Sequence, residues 1–239
     1  MSKVIAVFGA GTGLGAAVAR RFGAEGFRVA LVARRKDRLD ALVAALADEG
    51  VEAAAFPADL SRPAEVPALV AAIRERFGRI DVVEYGPIGT EQGFIPARSL
   101  DAAQLEAMAP LLLFTPLEVA QAVLPEWTER GEGSFLLTHG LSAAVPMPHM
   151  SGVGPLMSAA RNWLYSLNGE LAGTGVYAGT LAIGAMIAGT EVGEAAAASV
   201  AESGVAFPVV EPAELADLYW DMHVKQDRVE QVHPEFAAS

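Results

Sequence analysis

The sequence predicts an α/β domain with a doubly wound parallel sheet and helices on both faces. Three observations carry this. Strand-like and helix-like segments alternate along the chain. The strand-like segments are continuous apolar runs, as expected of parallel strands covered on both sides. A glycine cluster joins the first strand-like run to the first helix-like one. The 239 residues fit one domain, 1–239, better than two small ones, and 52% of them are apolar, enough for a sizeable core.

The elements follow in order. Val4 to Phe8 is a β-rich run, and Gly13 to Gly23 has helical spacing. Val29 to Ala33 reads as a second strand and Asp37 to Ala47 as a second helix. Val51 to Phe56, a helix near Ala64 to Phe77, and Ile80 to Val83 continue the alternation. Two longer helical stretches, about Leu111 to Glu129 and Pro155 to Leu171, flank the strand Ser134 to Thr138. Val176 to Ile183 is another strand, and Glu211-Pro212 opens a last helix, Pro being tolerated in a first turn. Right-handed crossovers assemble such βα units into one sheet. An alanine-rich run, Glu194 to Ala201, falls where this architecture usually carries a covering segment.

Composition excludes several function classes. A net charge of −12 argues against nucleic acid or an anionic membrane as partner, so a bound polyanion needs a local basic patch. With no cysteine, disulfides, thiolate metal sites and Cys nucleophiles are out. His139, His149, His223 and His233 lack metal-ligand spacing, and no G-x-S-x-G elbow is present, so neither a metal site nor a hydrolase is expected. The most apolar stretch, Val176 to Ala188, is short and holds Gly and Thr, so it reads as buried sheet rather than a membrane span. Met1-Ser2-Lys3 runs straight into an apolar strand without a signal-peptide layout, and a cytoplasmic protein is the expectation.

The glycine cluster is the first motif with chemistry in it. Phe8-Gly9-Ala10-Gly11-Thr12-Gly13-Leu14-Gly15 follows a strand and opens a helix, which brings bare backbone N–H groups and a helix N-terminus up to a pyrophosphate. Leu14 breaks G-x-G-x-x-G; what fits is G-x-x-x-G-x-G at Gly9, Gly13 and Gly15. That spacing, in a Rossmann-type order of elements, resembles the short-chain dehydrogenase/reductase family, although Phe8 stands where the family usually has Thr. A plain structural turn is the alternative. After the second strand, an acid for a ribose 2′-hydroxyl would fall at Ala33, which cannot serve, while Arg34 and Arg35 are suited to clamp a 2′-phosphate. The alternative there is a solvated helix start. These residues favour NADP(H) over NAD.

The resemblance covers nearly the whole chain, with a cofactor half at about 1–135 and a substrate half at about 136–239. It implies an adenine contact from Asp59-Leu60, a backbone contact at Gly86 within Glu84-Tyr85-Gly86-Pro87, a nicotinamide neighbour at Ile183-Gly184, and a carboxamide contact from Thr190. It further implies that the apolar faces of the 111–129 and 155–171 helices build a homodimer or homotetramer, with core packing as the alternative.

Members of that family reduce carbonyls with a Tyr acid, a Lys four residues later, a Ser after the fifth strand and a supporting Asn. Matching Gly133 to Leu137 to the family's fifth strand places the Ser position at Gly140, the Tyr position at Val153 and the Lys position at Met157, and counting back from Pro125 places the Asn position at Leu112. Glu170-Leu171, thirteen residues past Met157, matches the family's spacing. All four roles are vacant, and no Y-x-x-x-K occurs in the chain.

Substitute groups lie nearby. His139 and Ser142 flank Gly140; His149 is four residues before Val153; Glu84 and Tyr85 lie near the expected nicotinamide. His149, Ser142 and Tyr85 are the candidates, His149 foremost because imidazole titrates near neutrality. Against each stands a plain reading: a solvent-facing loop histidine, a serine in place only if the strand end shifts by two residues, and a strand-end side chain turned into packing. Three functions remain open: an NADP(H)-dependent oxidoreductase on a hydrophobic carbonyl, enone or imine; a non-catalytic NADP(H)-binding sensor or partner subunit; and a non-redox cyclase or isomerase. Val153, Met157, Leu112 and Met147 favour a small hydrophobic ligand in each case.

Overall fold

The computed structural model of the chain describes residues 2–88, 95–190 and 208–235. Its centre is a seven-stranded sheet built from β1 (Val4–Phe8), β2 (Arg28–Ala33), β3 (Ala53–Pro57), β4 (Val82–Tyr85), β5 (Gly133–Gly140), β6 (Val176–Ile183) and β9 (Glu230–His233). The order is β3-β2-β1-β4-β5-β6-β9 and each of its pairings is parallel. A two-stranded ribbon pairs β7 (Met186–Ile187) with β8 (Val209–Val210).

The strands alternate between two cores. On one face α1 (Leu14–Ala24), α2 (Lys36–Asp48) and α7 (Pro212–Lys225) bury Val18, Leu39 and Tyr219 against Val7, Leu31 and Leu136. On the other, α3 (Val66–Phe77), α5 (Thr115–Arg130) and α6 (Gly154–Glu170) bury Ile73, Trp127 and Leu164 against Phe8, Val83 and Phe135. Burial on both faces is why the strands read as continuous apolar runs. β1, β4 and β6 are buried along their whole length.

The strands and helices expected from the sequence lie within a few residues of the observed ones, except at the long central helix; β7, β8 and β9 were not expected. The helix expected from about Leu111 begins earlier, at α4 (Ala102–Ala109), where Asp101 and Gln104 form a capping box. A π-turn, Pro110–Phe114, joins α4 to α5. Pro110 has no N–H for a regular α bond, and the wider turn absorbs that loss without breaking the rod. Together these pieces make one helix, Ala102–Arg130, long and apolar enough to cross a membrane. Here its Val119, Ala120, Val123 and Trp127 are buried in the core. The edge strand β9 has weak β signals and escaped the sequence reading. The alanine-rich run Glu194 to Ala201 lies outside the described residues.

Candidate active site

Strand order reverses between β1 and β4, which opens a crevice at the carboxyl ends of the strands. The chain leaves β1 at Gly9, whose φ of +102° suits glycine alone. A Cβ there would stand 2.7 Å from the Pro87 nitrogen. Gly9 and Ala10 donate their N–H groups to the Val32 carbonyl at 2.9 and 3.0 Å, and Gly86 donates to the Phe8 carbonyl at 2.9 Å. The turn is therefore tied to β2 and β4 at once. A Cβ on Gly15 would approach the Gly9 carbonyl oxygen to 2.7 Å. One on Gly13 would collide with Thr190 Cγ2, so Thr190 closes over the turn; its hydroxyl donates to the Ile187 carbonyl at 2.8 Å. Gly13 caps α1 without any side-chain bond, which leaves first-turn N–H groups for an anion. Gly11, Thr12 and Leu14 complete the same turn.

Arg34 and Arg35 leave the end of β2 as exposed side chains at the mouth of the crevice, beside the expected acid position at Ala33. Asp59 sits in the turn after β3. The hydroxyl and amide of Ser61 hold its carboxyl below the usual range, with Arg62 and Arg34 adding to the effect. Arg34 and Asp59 thus share one electrostatic environment. Leu60 is buried, and its carbonyl accepts from the Thr115 hydroxyl at 2.7 Å. Gly184 follows β6, its N–H donating to the His233 carbonyl at 2.8 Å.

At the reacting end, a cavity of about 10 Å³ is lined by Tyr85, Leu112, Leu137, His139 and Met157 among others. That is room for about one water. Leu112 and Met157, two residues that the resemblance puts at catalytic positions, therefore line one cavity. Met157 Sδ also accepts from the Gly140 N–H at 3.5 Å. Val153 packs against the small apolar cluster that contains Leu112 and Met157. Leu112 lies in the π-turn, a distortion often found at functional sites.

The substitute groups fare differently. Tyr85 lines the cavity, but it is buried and its hydroxyl donates to the Leu111 carbonyl at 2.6 Å. Burial pushes its phenol well above the ordinary value, which makes it a poor acid. His149 is exposed on a loop with φ of +67° and does not line that cavity. Ser142 lies on a 3₁₀ turn, Leu141–Ala143, directly after β5. The strand end is not shifted; the turn instead folds the serine back. Its Oγ stands 3.5 Å from where a Cβ on Gly140 would be, and it is buried without a hydrogen-bond partner.

Glu84 points to the α7 side of the sheet. Its Oε1 accepts from the Thr138 hydroxyl at 2.7 Å, and Thr138 Oγ1 lies 2.5 Å from the Tyr219 hydroxyl. Burial pushes the Glu84 carboxyl up to about 8. A Cβ on Gly86 would come within 2.5 Å of Glu84 Oε1, so glycine at 86 makes room for this acid.

Sequence reasoning missed a second charged group. Glu230 on β9 lies 3.2 Å from His139 Nε2 and accepts from Arg161 on α6 at 2.6 and 2.8 Å. The Tyr165 hydroxyl donates to the same carboxylate at 3.0 Å. Burial opposes its ionisation, but these contacts outweigh burial and hold Glu230 down at about 2. Three elements far apart in the chain meet here, and no local pattern marks that. Among the described residues, no three His, Asp or Glu side chains are placed to hold a metal ion.

The family model for short chain dehydrogenase matches residues 3–211. A fatty acyl-CoA reductase of Mycobacterium tuberculosis is 35% identical over 149 residues, 61% of this chain and 50% of that protein. The match thus spans about half of that reductase. A putative ketoacyl reductase of Streptomyces coelicolor is 31% identical over 177 residues, 73% of this chain and 67% of that protein. Among solved structures, an actinorhodin polyketide ketoreductase variant with NADPH superimposes with a TM-score of 0.84 at 25% identity, covering 97% of this chain and 95% of that one. The glycine spacing, the sheet order and the matched family model agree: this chain belongs to the short-chain dehydrogenase family.

Proposed function

We propose that the protein is an NADP(H)-dependent oxidoreductase that acts on a hydrophobic carbonyl, enone or imine without the family's Tyr acid. The observation that carries this reading is the intact cofactor turn. Gly9, Gly13 and Gly15 each occupy a place that a Cβ would spoil, and the exposed Arg34 and Arg35 after β2 are suited to pair with a 2′-phosphate. Asp59 and Leu60, Gly86, Gly184 and Thr190 complete the cradle. A reduced nicotinamide bound there supplies hydride.

What this chain adds is placement. Leu112, Met157 and Val153 give an apolar floor, which suits a hydrophobic substrate. Ser142 offers an unbonded hydroxyl beside the vacated Ser position, and in this reading it orients the substrate oxygen. Loss of a general acid typically costs about 10²–10⁴-fold, so reduction is slowed rather than forbidden. The reading extends to a cytoplasmic protein that assembles as a homodimer or homotetramer through the outer faces of α5 and α6.

A second reading, an NADP(H)-binding protein without turnover, is favoured by the commitment of the Tyr85 hydroxyl to Leu111. Titration of the purified protein with NADPH, with NADH as control, separates the possibilities. Saturable NADPH binding followed by oxidation in the presence of hydrophobic ketones supports the oxidoreductase. Binding without turnover on any ketone, enone or imine favours the second reading. No binding of either nucleotide sinks both.

A further inference from the structure

A second hollow opens at the other end of the sheet. It lies at the amino ends of β1, β4 and β5, against the last turns of α7, so the length of the strands separates it from the crevice. Its volume is about 310 Å³, at the lower bound for small-molecule sites. No role assigned above uses it. Part of its lining is aromatic. Phe27 and Trp220 meet edge to face, with centroids 6.0 Å apart and planes at 88°. Each also faces the His223 ring, at 5.8 and 5.6 Å. Val224, 60% exposed, leaves a further apolar side chain open to solvent at the same hollow.

The polar part of the lining is a pair. His223 Nδ1 and the Ser134 hydroxyl share a hydrogen bond of 2.8 Å, in a face of the sheet that is otherwise apolar. Burial holds His223 down at about 4, so the ring is neutral near pH 7. Such a pair serves either polarity, because the hydroxyl rotates and a neutral imidazole carries one N–H and one bare nitrogen. The charges of the lining are already matched. Lys3 Nζ and Glu132 Oε1 lie 2.7 Å apart. The Asp81 carboxylate accepts from the Val4 N–H at 2.8 Å and is paired with Arg79 and Arg130. An ion entering here would have to break one of these pairs, whereas a neutral ring leaves them whole.

We propose that this hollow is a second small-molecule site, selective for an uncharged, flat heteroaromatic compound that packs on Phe27 and Trp220 and hydrogen-bonds to the Ser134–His223 pair. The aromatic lining supplies area and ring-to-ring contact, and the pair supplies orientation. The site is independent of the oxidoreductase reading, since none of its residues belongs to the cofactor turn or to the cavity at the reacting end.

Titration of the full chain with benzimidazole, followed by proton–nitrogen NMR near neutral pH, tests this. The Trp220 indole N–H signal is assigned by its loss in Trp220→Phe. It is expected to shift saturably with a Kd of about 1 mM or below, while the Trp127 and Trp163 signals hold. Tryptamine and indole-3-acetate, a cation and an anion of related shape, are expected to bind at least about tenfold more weakly. Ser134→Ala, which removes half of the polar pair, is expected to weaken benzimidazole by about tenfold. Val224→Trp, a change at an exposed position that the fold tolerates, is expected to obstruct entry and weaken it at least as much. It keeps the test decisive should Ser134→Ala fail to fold. Absence of saturation overturns the proposal, as does equal binding of the charged compounds or wild-type affinity in either folded variant. Displacement of benzimidazole by NADPH would put the probe in the crevice and overturn it too.

Discussion

Ser142 Oγ stands 3.5 Å from the point that a Cβ on Gly140 would occupy. In the proposed reading this hydroxyl replaces the one that the resemblance expects at position 140. The 3₁₀ turn Leu141–Ala143 brings the hydroxyl beside Gly140, which has no side chain in its way.

Ser142→Ala tests that replacement. The hydroxyl has no partner in the protein, so its removal is expected to leave stability unchanged or raise it by up to about 1 kcal/mol. Turnover on a ketone is expected to fall by at least about tenfold. Thermal melting and steady-state kinetics on one preparation check both outcomes. Unchanged kcat would remove Ser142 from the site.

Arg34→Ala and Arg35→Ala probe the 2′-phosphate. Each charge-assisted bond contributes about 1.5–3 kcal/mol, so NADPH affinity is expected to weaken by roughly 10- to 100-fold per arginine in contact. NADH affinity is expected to hold, because it has no 2′-phosphate. Equal losses for the two nucleotides would place the arginines elsewhere in the cofactor's path.

Gly15→Ala asks whether the turn tolerates a side chain. The new Cβ would lie 2.7 Å from the Gly9 oxygen and 2.9 Å from Ala10 Cα, both backbone atoms that cannot swing away. A loss of about 1–3 kcal/mol is expected, with weakened NADPH binding. Urea unfolding and calorimetry report the two effects independently.

Glu84 and His223 make stability depend on pH in opposite directions. Burial raises Glu84 to about 8 from an ordinary 4.5, so its contribution is fully present below about 4.5 and is lost as pH rises toward about 8. His223 is lowered by burial to about 4 from 6.5, so its contribution is present above about 6.5 and is lost as pH falls toward about 4. Glu84→Gln is expected to abolish the alkaline decline, worth up to about 1.4 kcal/mol per pH unit, and to leave the acid one. Urea midpoints taken from mildly acidic to mildly alkaline pH check this. A parallel decline in both proteins would show that Glu84 is ionised in the fold.

Much of the scaffold was legible in the chain. Doubly buried strands must be apolar throughout, and β6 announced itself at Val176 to Ile183 for that reason. Gly9, Gly13 and Gly15 were legible because a left-handed turn and two close approaches demand the absence of a Cβ. The expectation that Gly140, Val153, Met157 and Leu112 stand at the family's catalytic positions came from counting along the resemblance and not from local physics.

What the tertiary structure alone decided is which polar groups keep company. Tyr85 was a candidate acid until the π-turn brought the Leu111 carbonyl to its hydroxyl. Ser142 needed the 3₁₀ turn, and His149 lost its place to a loop backbone that leaves it exposed. The pairing of His139 with Glu230 depends on β9 adding beside β6, a contact between distant segments that no local periodicity encodes. Backbone geometry and burial are imposed residue by residue and show in the sequence; the partners of a charge are set by chain crossings and show only in the fold.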